Sequence, residues 1–174
     1  TVLALVAGLT RPLVATNGMN MEGYGPVATA MGGASFGYDN GTAALMNNPA
    51  TLALMKDGTR IDLAAGFLGP NVKANGQDSG GTLYAMPAFG ITHKQNDLSI
   101  GFGIFAQGGM GTEYNNASFY NGLVGMNQVT QATDPGFRNR SEVGVGRALI
   151  PLAWKANEQL TIGGSLDFVW ATMD

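Results

Sequence analysis

The sequence predicts an all-β fold: the N-terminal part of an antiparallel transmembrane β-barrel, built as a plug followed by about five strands. Three observations carry that expectation. From about residue 59 onward, large apolar residues alternate with small or polar ones at period two, the spacing of a strand with one buried or lipid-facing side. Glycine supplies 27 of 174 residues and charged residues only 12%, roughly twice the usual 7% and half the usual 25% of soluble domains. The connections between the alternating runs are by turns long and short, as in outer-membrane barrels with long external loops and short periplasmic turns.

The first strand is expected over 61–67, with Ile61, Leu63, Ala65 and Phe67 on one face and Asp62, Ala64 and Gly66 on the other. A polar stretch, 69–82, precedes a second strand over 83–94. The short KQND leads to a third over 98–106, where Leu98, Ile100, Phe102 and Ile104 alternate with Ser99, Gly101 and Gly103. A long Gly/Asn-rich segment, 108–141, is read as a loop. Strands four and five follow over 142–154 and 160–172, joined by KANEQ. Five strands cannot close a barrel, since open edges in lipid leave backbone groups unsatisfied, so more chain is expected after Asp174.

Register follows from turn chemistry and charge. Arg147 and Asp167 fall mid-strand, and a charge on the lipid face at the midplane costs about 2–4 kcal/mol, so both are expected to face the lumen as a cross-strand pair. A three-residue turn between Lys155 and Gln159 pairs Trp154 with Leu160 and Arg147 with Asp167. Pairing Ile91 with Ile100 sets Gly90 opposite Gly101, Ala88 opposite Gly103 and Pro87 opposite Ile104. The inner wall of strands two and three is then nearly bare, and something must fill it.

Residues 16–56 are the expected plug. They are rich in Gly, Ala, Met and Asn, with helical hints at 27–31 and 43–46 broken by Gly32-Gly33 and Asn48-Pro49. Met19, Met21, Asn48, Pro49 and Ala50 are the expected filling and substrate-contacting residues, methionine being flexible enough to line a site for varied apolar ligands. Residues 1–15, TVLALVAGLTRPLVA, resemble the back half of a secretory signal; a short buried strand or helix is the alternative. Residues 57–174 make the barrel strands.

Several chemistries are excluded. A net charge of −3 with scattered Lys and Arg offers no basic stripe for nucleic acid. The single His93 lies beside a turn and no G-x-S-x-G occurs, which argues against a hydrolase. Gly101-x-Gly103-x-x-Ala106 is followed by no helix, so a dinucleotide fingerprint is not expected. Asp39-Asn40-Gly41 reads as a turn rather than a calcium loop. No metal or cofactor is expected.

Four pieces resemble the FadL-type family of outer-membrane transporters for long-chain fatty acids and other hydrophobic compounds. They are GPVATAMGGASFGYDNGTAALMNNPATLA with its Asn48-Pro49-Ala50, MPAFGITHKQNDLSIGFGIFAQGGMGTEY, the long loop before Glu142, and IPLAWKANEQLTIGGSLDFVW. The resemblance implies a barrel of roughly fourteen strands plugged by an N-terminal hatch, acting passively on a hydrophobic small molecule and releasing it sideways into the membrane. The basic residue that holds a carboxylate in such fatty-acid transporters corresponds here to Thr172, and Asp167 neutralises Arg147, which favours an uncharged hydrocarbon over a fatty acid. A kinked third strand forms the lateral window of the family. Here Pro87 has no N–H for the ladder, and the glycines after Gln107 let the chain bend away, so the opening is expected at Pro87, Phe105, Gly108 and Gly109. The expected protein is a monomer in the outer membrane of a Gram-negative bacterium, contacting lipid. A general porin or a structural or adhesive barrel is the alternative.

Overall fold

The structure, a computed structural model, describes residues 18–74, 77–115 and 138–174. Residues 1–15, with their signal-like pattern, lie outside the described residues. Among the described residues seven strands follow the N-terminal segment: β1 Gly58–Leu68, β2 Lys73–Ala74, β3 Gln77–Asp78, β4 Tyr84–Gln95, β5 Leu98–Asn115, β6 Arg138–Lys155 and β7 Thr161–Met173. Five of them form one antiparallel sheet in the order β1-β4-β5-β6-β7, each long strand beside its predecessor, while β2 and β3 pair separately. The all-β antiparallel expectation holds.

Two strand boundaries differ from the expectation. The glycines at 108–111 do not end β5, and β6 begins before Ser141. The β5–β6 ladder runs on to Asn115 opposite Arg138. Pairing with a neighbouring strand outweighs the weak strand preference of glycine, so 108–115 and 138–141, expected as loop, are ladder.

Both short turns shift the expected register by two residues. After β4 the chain turns at Asn96-Asp97, with Gln95 opposite Leu98. Asn96 takes a left-handed φ of 54°, which asparagine tolerates better than most residues. Asp57 secures the corner by accepting from Asn96 N–H (3.2 Å) and Lys94 Nζ (2.8 Å). Between β6 and β7 the loop spans 156–160. Ala156 N–H reaches Leu160 O at 2.9 Å, and the Asn157 carboxamide oxygen accepts from the amides of Gln159 and Leu160. Lys155 therefore faces Thr161, not Gln159. A shift of two preserves which face each side chain occupies. Gly90 still meets a glycine, Gly103, but Ala88 now lies opposite Phe105, and Arg147 opposite Val169.

The two sheet faces differ sharply. Ile61, Leu63, Phe67, Ile100, Phe102, Ile104, Ile150, Leu152 and Trp154 are exposed on one face, Leu63 to 80%. On the other face Thr92, Ser99, Phe105, Leu149, Pro151 and Ala153 are buried beneath the N-terminal segment. That segment contains the short helices α1 (Pro26–Ala30) and α2 (Ala44–Asn47), with 3-10 turns over Gly41–Ala43 and Pro49–Leu54. Ala44, Leu45 and Leu52 join Phe105, Leu149 and Ala153 in one apolar cluster.

The bare wall expected from the glycines is present, but its filling is different. Leu45 and Thr42 sit in it. A Cβ on Gly90 would lie 2.5 Å from Thr42 Cβ, and one on Gly101 would lie 2.9 Å from Leu45 Cδ2. Neither Met19 and Met21 nor Asn48-Pro49-Ala50 fills this wall. Ala50 instead lies against β7, where a Cβ on Gly163 would come within 2.4 Å of its amide nitrogen. Register explains the difference: β4 and β5 place their glycines beneath α2, and α2 presents Leu45 there.

Polar contacts fix the segment to the sheet. Thr42 N–H donates to Asp62 Oδ2 at 2.8 Å, Arg60 pairs with Asp39 at 2.6 Å, and Ser99 Oγ donates to Leu52 O at 3.2 Å. Asp62 lies on the face of β1 opposite Ile61 and Leu63, as its place in the alternation predicts, and its partner is a backbone amide.

Candidate functional site: an interrupted ladder beside β5

The β4–β5 ladder stops at Ala88 opposite Phe105. On either side pairing continues: β1–β4 runs to Leu68 opposite Tyr84, and β5–β6 to Asn115 opposite Arg138. Tyr84, Ala85, Met86 and Pro87 therefore pair with β1 alone, and β5 from Ala106 onward has lost β4 as a neighbour. Pro87 stands at the divergence, opposite Ala65 and not opposite Ile104 as expected. Ile104 faces Phe89. A residue that cannot donate suits the first unpaired position of the ladder.

The N-terminal segment takes over the vacated edge. Asn20 bridges Gly108 in antiparallel fashion. Gly109 N–H donates to Met19 O at 2.8 Å, and Met21 N–H reaches Gln107 O at 3.5 Å. Tyr24 Oη donates to the same Gln107 carbonyl at 3.0 Å, and Gln107 Nε2 donates to Asn20 Oδ1 at 3.1 Å. Gln107 is the extra residue of a bulge, where the β5–β6 register shifts between Ala106 and Gly108. Farther along, Gly80 N–H donates to Glu113 O and Glu113 N–H to Ser79 Oγ. Backbone groups left by β4 thus find partners in two other parts of the chain, as burial away from water requires.

Between these substitutes a cavity of 470 Å³ remains, walled by Leu68, Tyr84, Met86, Ile104 and Met110 among others. Pro87, Phe105, Gly108 and Gly109 all line it. Phe105 is 3% exposed and belongs to the buried cluster, so it forms the inner floor rather than a free edge. Gly108 is required by close approach: a Cβ there would stand 1.8 Å from Met19 O. Gly109 has a different reason, its Cβ position lying 2.4 Å from Val143 O of β6. Thr172 also borders the cavity.

The remaining expected residues lie elsewhere. Asn48 Oδ1 accepts from Ala50 N–H at 3.2 Å, capping the 3-10 turn that Pro49 opens, while its Nδ2 donates to Phe36 O. The trio Asn48-Pro49-Ala50 is held by these local contacts and does not border this cavity. Arg147 Nη1 lies 3.2 Å from Asp167 Oδ2 on the face covered by the segment. Their Cα atoms are not directly opposite, because the longer turn places Asp167 opposite Leu149, and the guanidinium spans the offset.

Asn47 was not anticipated. Its Oδ1 accepts from Tyr24 N–H at 3.0 Å and its Nδ2 donates to Tyr24 O at 2.9 Å. It joins α2 to the strand-like stretch on β5. Tyr24 was missed with it, since the Gly-rich context of residues 18–25 shows no periodicity from which to place an aromatic ring.

Solved structures share this fold. The toluene transporter TbuX of Ralstonia pickettii superposes with a TM-score of 0.75 at 34% identity, covering 88% of this chain and 39% of that one. The toluene transporter TodX of P. putida gives 0.72 at 32% identity, over 88% and 37%. Both are FadL-type transporters, and this chain matches part of each. A third FadL-type structure, the monoaromatic hydrocarbon channel CymD, gives 0.57 at 26% identity, over 89% and 33%. The described strands match part of a FadL-type barrel, and the chain spans less than two-fifths of the length of each of these relatives. A curated protein of Chlorobium limicola, described as an uncharacterized protein in the phosphoenolpyruvate carboxykinase gene 5' region, is 58% identical over 57 residues, 33% of this chain and 28% of that one. No protein-family model matches the sequence.

Proposed function

We propose that the protein carries uncharged hydrophobic small molecules, aromatic hydrocarbons above all, passively across a bacterial outer membrane. In this reading the N-terminal segment plugs the barrel, and the ligand leaves sideways between β4 and β5. The observation that carries it is the interrupted ladder. In lipid an unpaired backbone group costs several kcal/mol, so a wall that gives up its own pairing and replaces it with a separable segment is built to open. The relatives named as toluene transporters support the ligand class. So does the site: Arg147 is balanced by Asp167, and Thr172, not a cation, borders the cavity.

The energetics allow a passive device. Withdrawing residues 19–24 from β5 breaks the four hydrogen bonds to Gln107 and Gly109, each worth about 0.5–1.5 kcal/mol net, a total of about 2–6 kcal/mol. Thermal fluctuation reaches such states without a coupled energy source.

The experiment is uptake of toluene and of oleate by cells carrying the full-length protein, alongside Ala106→Phe. Ala106 borders the cavity and touches neither Met19 nor Val143 among the contacts above. Saturable toluene entry, at least tenfold slower in the variant with surface binding retained, is the expected result. Undiminished entry would refute the sideways route. Steady ion conductance of the intact protein would favour a porin. Removal of residues 16–50 should raise a low conductance sharply if that segment plugs the barrel.

A further inference from the structure

The cavity beside β5 reaches both faces of the sheet. Phe105 and Gly108 border it beneath the N-terminal segment, whereas Ile104 belongs to the exposed apolar face. Ala106, two residues beyond Ile104, lies on that same face. Its ladder partner is Gly146, whose partner on β7 is Trp170, and directly opposed residues share a face. All three border the cavity. Its outer mouth is therefore a row running from Ala106 over Gly146 to Trp170. Gly146 shapes that row. A Cβ there would collide with the indole atoms Nε1, Cε2 and Cζ2 of Trp170, so the missing side chain lets the ring lie across β6, toward β5. Phe168 backs it on the same strand, the two ring centroids being 6.1 Å apart.

An aromatic girdle residue of a membrane barrel sits at the lipid interface and needs no recess in the neighbouring strand. Trp154, near the other end of β6, is of that kind: it stands opposite Ile162 and is 52% exposed, against 38% for Trp170. Trp170 is instead folded onto a glycine and forms one wall of a cavity. Burial of apolar area favours toluene and a saturated ring of the same carbon count alike, because it scales with surface and not with π electrons. An aromatic wall distinguishes them, since two rings in offset or edge-to-face contact gain more than their buried area accounts for. We infer that Trp170 is a specificity-determining residue at the lipid-side mouth of the cavity. It takes the ring of an aromatic hydrocarbon as the ligand leaves, and so favours aromatic over saturated hydrocarbons. Gly146 is its positioning residue. The inference rests on the proposed sideways transport and names the residue that selects within it.

The test is uptake of toluene and of methylcyclohexane by cells carrying the full-length protein, each corrected for cells lacking it. The ratio of the two rates is the readout, because a variant that assembles poorly lowers both together. Trp170→Leu keeps an apolar side chain but removes the ring. It is expected to lower the preference for toluene about two- to tenfold, the factor that one aromatic pair contributes. Tyr84, Met86 and Met110 still border the cavity, so part of the preference remains. Gly146→Ala pushes the indole out of its recess without altering its chemistry and should lower the ratio too, whereas Trp170→Phe should keep most of it. A ratio unchanged in Trp170→Leu, or in Gly146→Ala if the first variant does not assemble, would overturn this inference while leaving transport standing. Equal entry of the two compounds through the unaltered protein would do the same. Failure of both to enter through the unaltered protein would overturn the transport reading on which the inference rests.

Discussion

The amide of Gly109 donates to the carbonyl of Met19 at 2.8 Å, so a residue distant in sequence occupies the edge of β5 that β4 gives up after Ala88. Gly108, next to it, has room for no side chain, a Cβ falling 1.8 Å from that same carbonyl. The two glycines therefore serve different neighbours: Gly108 admits the N-terminal segment and Gly109 admits β6.

Gly108→Val is expected to displace residues 19–21 from β5 without breaking the β5–β6 ladder. Hydrogen exchange at the Gly109 amide should accelerate at least tenfold, and brief conductance openings should become more frequent. Protection equal to that of the unaltered protein would place Met19 elsewhere. A double change at Gly108 and Gly109 is a poorer probe, because the second collides with Val143 O and weakens the sheet itself.

The strand faces were legible because period-two alternation survives any register error of two residues. Ile100, Phe102 and Ile104 are on the face the sequence assigns them even though the turn before them closes two residues away from the expected register. The turns were misplaced for a local reason. KQND and KANEQ each permit more than one closure, and the choice depends on Asp57 in one case and on the Asn157 carboxamide in the other. Pro87 marked the ladder's interruption from sequence, since its missing N–H is a property of the residue alone. The roles of Asn47, Tyr24 and Leu45 depend on where an irregular segment lies over the sheet, and no periodicity encodes that.

Leu45 anchors the segment by packing into the glycine floor of β4 and β5, where it is 1% exposed. Leu45→Ala should cost about 2–5 kcal/mol, the range for a buried leucine whose surroundings cannot collapse, and a sheet floor is stiff. The loss should be read as a lower local opening free energy at the Thr42 amide by native-state hydrogen exchange. An effect below about 1 kcal/mol would mean that α2 is held mainly by its polar contacts.

The Asp39–Arg60 pair makes the anchoring acid-sensitive. Burial alone pushes the Asp39 carboxyl up, but the hydrogen bond from Arg60, the amide of Gly41 and the guanidinium charge outweigh it and hold the group below its ordinary value. A depressed carboxylate contributes stability that is complete above its unfolded pKa of about 3.9 and is lost as pH falls through the lower folded value. Proteolysis within residues 37–43 should therefore increase below about pH 4. In Arg60→Ala the anchoring should already be weakened at neutral pH and its acid dependence should flatten, and an unchanged pH profile would dismiss this pair as the sensor.

Asn47 ties the stretch on β5 to α2 through two side-chain hydrogen bonds to the Tyr24 backbone. Asn47→Ala removes both, and leaves Tyr24 O and N–H to find other partners at a net cost of about 1–3 kcal/mol. The anchoring of Leu45 should persist, because the glycine floor does not involve Asn47. Exchange should therefore accelerate at Met21 and Gly109 and stay unchanged at Thr42, separating the movable stretch from the fixed one. If withdrawal of residues 19–24 limits ligand release, toluene uptake in this variant should rise by a few-fold. Equal acceleration at Thr42 would show instead that the segment moves as one body, and the opening would then have to displace Leu45 from the glycine floor as well.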